Sequence, residues 1–141
     1  MGVQHDGQQH VLRWRKRITL DPQQPRWQYQ LTLSHVDHAP WAGWVGVEWN
    51  LSLRDPRYLE PQALHDVTSL TVEDRDQRAR MIFTADAPQD VFLFPVETVS
   101  GSEHGLERTY QGLCLWWGSM ASCGPRASWT VTLTQQLESL A

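Results

Sequence analysis

Val45-Gly-Val-Glu-Trp-Asn-Leu-Ser-Leu-Arg54 alternates without a break: Val45, Val47, Trp49, Leu51 and Leu53 on one side, Gly46, Glu48, Asn50, Ser52 and Arg54 on the other. A period of two belongs to extended backbone, whose successive side chains point to opposite faces. An apolar row opposite a polar row marks a strand with one face in a core and the other in water, the signature of an antiparallel sheet. The same pattern recurs upstream, where Trp27, Tyr29, Leu31 and Leu33 oppose Gln28, Gln30, Thr32 and Ser34. It recurs again downstream, where Trp129, Val131 and Leu133 oppose Thr130 and Thr132.

Between these segments the chain reads as strands and punctuation. A first strand is expected over Val11–Leu20 and is ended by Asp21-Pro-Gln-Gln-Pro25, whose two prolines cannot donate to a ladder. Asp55–His65 is a long connection with room for one helical turn at Gln62–His65. Strands follow at Val67–Glu73 and Ala79–Ala85, joined by the charged loop Asp74–Arg78, and Ala87-Pro-Gln-Asp90 makes a further turn. Val91–Val96 and Leu113–Trp117 are apolar on both faces, the pattern of central strands covered on both sides. Gly118–Pro125 is a small-residue loop, the first ten residues form a flexible lead-in, and Gln135–Ala141 is a short helix or a frayed tail. The sum is about eight strands with almost no helix pattern and no internal repeat. The expected fold is all-β, an antiparallel β-sandwich forming a single domain over residues 1–141.

Composition narrows the function classes. The net charge of -4 argues against a nucleic-acid partner. Arg13, Arg15 and Arg17 share one side of a strand, which a solvated face explains. No apolar run approaches the roughly 20 residues of a membrane-spanning helix, and the start has no signal-peptide apolar region, so no membrane partner and a cytoplasmic location are expected. Cys114 and Cys123 are then thiols. His35, Asp37 and His38, with His65 further on, are metal-ligand types without a completing shell, so no metal and no cofactor are expected. Eight tryptophans are unusual in 141 residues. Trp14, Trp27, Trp49 and Trp129 lie in alternating strands and read as core; Trp41 and Trp44, in the turn-rich Ala39-Pro-Trp-Ala-Gly-Trp44, are the better candidates for stacking on sugar rings, with core packing the leading alternative for them too.

Polar side chains crowd into Pro95–Gly112. Glu97, Glu103, Arg108 and Gln111 are planar groups able to make two hydrogen bonds at once to vicinal hydroxyls, and Ser100, Ser102 and Tyr110 add single bonds. The architectural alternative has Arg108 paired with Glu97 or Glu103, pinning a long loop to the sheet. The run Phe94-Pro-Val-Glu-Thr-Val-Ser-Gly-Ser-Glu103, continued by Gly105-Leu-Glu-Arg-Thr-Tyr-Gln-Gly112 and an apolar strand, closely resembles the C-terminal β-sandwich domain of family 57 glycoside hydrolases, the α-amylase and 4-α-glucanotransferase-like enzymes. The likeness is strongest over residues 91–117.

The resemblance implies a galactose-mutarotase-like sandwich attached to an α-glucan enzyme. In that family the catalytic carboxylates lie on a separate barrel domain, and 141 residues without βα alternation cannot contain one. The expectation is therefore a non-catalytic accessory domain, partnered by a family 57-type catalytic barrel and contacting α-glucan or maltooligosaccharide. Two alternatives stand beside it: an autonomous α-glucan-binding module, and a small aldose mutarotase or epimerase using Glu103 with His104. For hydrolysis within this chain, Glu97, Glu103 and Glu107 would have to converge across one glycosidic bond.

Overall fold

A computed structural model describes residues 2–5, 8–36, 40–53, 58–103 and 105–140, with side chains from Val11 onward except that of Ser102. Asp37, His38, Ala39, Arg54 and His104, all used in the sequence reading, lie outside the described residues. The strands are β1 (Gly2–His5), β2 (Gln8–Leu20), β3 (Arg26–His35), β4 (Trp41–Leu51), β5 (Gln62–Asp74), β6 (Ala79–Ser102), β7 (Gly105–Cys123) and β8 (Ser128–Ser139). Every pairing is antiparallel, in the order β1-β2-β3-β8-β6-β7-β4, with β5 on β6.

The strand that makes two leaves out of this one sheet is β6. It pairs with β8 over Ala79–Ala85 and with β7 from Asp90 to Ser102. The corner falls at Asp86–Gln89, where Pro88 has no N–H to donate. There the Asp86 Oδ1 accepts the Thr132 N–H at 3.0 Å, and the buried Gln89 side chain donates to the Pro88 carbonyl at 2.9 Å. The expected turn at Ala87–Asp90 is thus a bend within one strand, which carries the chain from the β2-β3-β8 leaf to the β7-β4 leaf.

The two leaves meet through rings on positions of one parity. Tyr29 from β3 meets Trp49 from β4 edge-on at 5.4 Å, Trp49 meets Phe83 at 5.5 Å, and Phe83 meets Trp117 at 6.2 Å. Val72, Val91, Leu93, Leu113, Leu115, Val131 and Leu133 complete the core. This is an antiparallel β-sandwich. Fully burying a side chain such as Phe83 stabilises it by about 1.5–3 kcal/mol before any cavity effect.

Several boundaries differ from the sequence reading. The lead-in contains β1, which pairs with the start of β2, and the tail to Ser139 extends β8. Gln62–His65 opens a strand, not a helical turn. The charged loop at 74–78 holds one buried carboxylate, Asp74, which accepts from the Gln77 backbone at 3.1 Å and ties the hairpin closed. At the Pro22–Pro25 break, Asp21 accepts from the Gln23 N–H at 2.9 Å and pairs with Arg26 at 2.9 Å. Those contacts hold its carboxyl below the usual Asp value.

Candidate functional site

The stretch Pro95–Gly112 is not a loop pinned to the sheet. β6 continues through it to Ser102 and β7 begins at Gly105, so residues 97–102 and 105–110 form a two-stranded ribbon with no third strand paired to it among the described residues. Gly105 takes the turn at φ +117, a backbone conformation that L side chains rarely adopt. Glu103 stands exposed in that turn, the Ser102 backbone pairs with Gly105, and the Ser102 side chain is not described.

The register splits the polar cluster. Glu97 faces Tyr110 and Val99 faces Arg108, so these share one face of the ribbon with the exposed Val99 and Leu106; Ser100 pairs with Glu107 on the other. Arg108 donates to Glu97 at 3.4 Å, the pairing that the architectural alternative expected. With Arg108 74% exposed, such a pair contributes at most about 1 kcal/mol. Gln111, at a register shift, donates to the Thr98 hydroxyl at 3.2 Å. Glu97 and Glu107 lie on opposite faces, so they do not converge on one bond.

The two candidate tryptophans separate. Strand β4 begins at Trp41, four residues earlier than the alternation suggested, and Trp41 has the parity of Val45 and Trp49. It therefore points inward and is only 8% exposed, packed with Leu12, Leu33 and Ala121; strand parity gives Trp41 the core reading in place of the stacking one. Trp44 has the opposite parity, is 57% exposed, and lies 6.3 Å from Trp116, which in turn lies 5.4 Å from Phe92. Gly46 and Gly118 make room for the Trp116 ring, since a Cβ on either would collide with it. Met120 is paired with Trp44, and Phe94 and Val96 continue the row along β6, all exposed. His65 and Asp90, bonded at 2.8 Å, border it. Trp44 is opposite Met120, ten residues along β7 from Tyr110, or roughly 33 Å at the rise of a strand. Ribbon and indole therefore do not form one site.

A third feature escaped the sequence reading. An open groove of about 530 Å³ runs between β2 and β4 on the open side of the sandwich. Trp14, assigned to the core by alternation, is 55% exposed there. Lys16, on the same face, holds its ammonium 5.9 Å above the Tyr29 ring. Lys16 at an apolar parity position was the available signal. Cys114 and Cys123 are buried and free, and burial raises both thiol pKa values, which leaves them poor nucleophiles. Among the described residues there is no group of three His, Cys, Asp or Glu suited to a metal, and no helix long and apolar enough to cross a membrane.

These features define a β-sandwich with an exposed aromatic face, a projecting ribbon and an aromatic-lined groove. A family model for the C-terminal region of alpha-amylase/4-alpha-glucanotransferase matches residues 2–133, and the chain belongs to that family. Its fold is similar to a 4-alpha-glucanotransferase from Thermococcus litoralis (TM-score 0.75, 20% identity), covering 96% of this chain and 20% of that one. It is also similar to the Slr1438 protein from Synechocystis sp. PCC 6803 (TM-score 0.60, 10% identity), covering 92% and 56% respectively. The chain thus spans about a fifth of the length of the glucanotransferase it matches. No curated protein matches it.

Proposed function

We propose that this chain serves as the non-catalytic C-terminal accessory domain of a family 57-type α-amylase or 4-α-glucanotransferase, forming one domain that packs against a catalytic barrel. The observation that carries this reading is the uncovered side of Val91–Val96 and Leu113–Trp117. These strands are apolar on both faces, yet the fold buries Val91, Leu93, Leu113, Leu115 and Trp117 on the inner face and Cys114 on the outer one; Phe94 and Val96 remain exposed beside Trp44 and Met120. A contiguous apolar surface on a sheet face fits a protein partner. The ribbon supports the same reading, since Val99 and Leu106 offer a second apolar contact and Glu97, Glu103, Arg108 and Tyr110 can reach the partner or its glucan. Two buried, unpaired thiols fit the reducing cytoplasm.

The test is association with a family 57-type catalytic segment supplied in trans, followed by sedimentation or calorimetry. Phe94→Lys or Met120→Lys is expected to weaken the complex at least tenfold without unfolding the domain, because both side chains are already exposed. No complex with wild-type protein, or one indifferent to both substitutions, would sink the docking role.

A further inference from the structure

We infer that the groove between β2 and β4 receives an extended segment of another polypeptide, which adds to the free edge of β4 as a further strand, lays alternate apolar side chains on β2 and sets a carboxylate against Lys16. Among the described residues β4 pairs with β7 alone, so along Trp41–Leu51 one edge of its backbone has no ladder partner. Both parities of β4, Val45 and Val47 with Gly46 and Glu48, border the groove, which therefore runs along that edge. Edge strands are ordinarily shielded from pairing by charge, proline or a bulge. The other edge follows that rule: Leu12–Leu20 of β2 pairs with β3 alone and carries Arg13, Arg15, Lys16 and Arg17. The β4 edge does not. Its 11 residues register with β7 without a shift, include no proline, lysine or arginine, and hold one charged side chain, Glu48. An edge this long and unshielded is a template for a strand.

The opposite wall fits the same occupant. Trp14, Lys16, Ile18 and Leu20 share the face of β2 that Leu12 buries against Leu33 and Trp41. Beyond Leu12 that row is uncovered, and Trp14, Ile18 and Leu20 are each more than half exposed. A strand hydrogen-bonded to β4 would lie about 4.8 Å beyond it and turn every second side chain toward this row. Lys16 fixes the chemistry of one such side chain. Its ammonium stands 5.9 Å over the Tyr29 ring and has no carboxylate partner among the described residues. An Asp or Glu among the apolar residues of the added strand would supply that partner as the groove loses water.

Other occupants fit less well. A small ligand in the groove would leave the β4 backbone edge unpaired. A second copy paired symmetrically through its own β4 would be antiparallel and would turn Trp41, Val45, Val47 and Trp49 toward the groove. That row holds no carboxylate for Lys16, and its side chains are already packed in their own core. The inference rests on the edge and the groove, and does not depend on a catalytic partner.

The experiment is selection of a displayed library of random peptides, each about ten residues long to span a strand, against the full 141-residue chain. The enriched peptides are expected to alternate apolar with polar residues and to carry one Asp or Glu in the apolar row. Bound peptide is expected to slow amide exchange along Trp41–Leu51. Trp14→Ala is expected to weaken binding about tenfold, and Lys16→Glu to change the preferred charge from acidic to basic, with circular dichroism unchanged because both side chains are exposed. Failure to enrich any peptide over a Trp14→Ala, Lys16→Glu double variant overturns the site. So does slowing of exchange along Leu12–Leu20 in place of β4. A concentration-dependent dimer that Trp14→Ala abolishes assigns the groove to a second copy. Peptide binding lost in Phe94→Lys but kept in Trp14→Ala belongs to the outer apolar face and overturns the groove as the site, so the two surfaces are tested separately.

Discussion

Gly118 shows how much one missing side chain decides. It sits opposite Gly46 on adjacent strands, and a Cβ there would meet both the Val45 carbonyl oxygen and the Trp116 ring. The backbone oxygen cannot swing aside as a flexible side chain would. Gly118→Ala is expected to destabilise the domain by about 1–3 kcal/mol, the cost of overpacking, as read by urea unfolding, and to displace Trp116 from its flat seat. A variant as stable as wild type would mean that the β4–β7 pair opens more easily than its register implies. In the sequence Gly118 reads only as the start of a small-residue loop, because the backbone oxygen that constrains it, that of Val45, lies more than seventy positions away.

Among the elements, the ribbon of residues 97–110 stands apart from the rest of β6 and β7. Among the described residues its strands have no third paired neighbour, and an isolated two-stranded hairpin is marginally stable in water. The Arg108–Glu97 ion pair across it is exposed on the Arg108 side. Amides of the ribbon are therefore expected to exchange with deuterium much faster than those of Leu113–Trp117 on the same strand, measured by native-state exchange. Equal protection along the whole of β7 would show that something beyond its own two strands holds the ribbon. Addition of a catalytic partner is expected to slow exchange selectively in the ribbon if it reaches that partner. The sequence concealed this element: Gly101, Gly105 and Gly112 read as loop punctuation, but Gly101 is ladder, Gly105 supplies the turn, and Gly112 lies against the Leu51 carbonyl.

For the whole molecule, stability rests on the ring contacts that hold the leaves together. Phe83 lies between Trp49 and Trp117 and is almost fully buried. Phe83→Ala is expected to cost about 3–5 kcal/mol by the same unfolding measurement, whereas loss of an exposed side chain such as Arg108 should cost less than about 1 kcal/mol. A small effect at Phe83 would mean that the two leaves pack more loosely than their ring distances indicate. The sequence by itself determined the fold class, the family resemblance and most of the core, because a period of two is a local property of extended backbone and any strand displays it along its own length. The inward parity of Trp41 was legible in the same way once its strand was extended by four residues. Only the tertiary structure decided that Val91–Val96 lacks cover on one face, that Trp14 opens into a groove, and that the ribbon and Trp44 lie far apart. Exposure depends on which distant strands come to lie across a face, and no periodicity within a single strand records that.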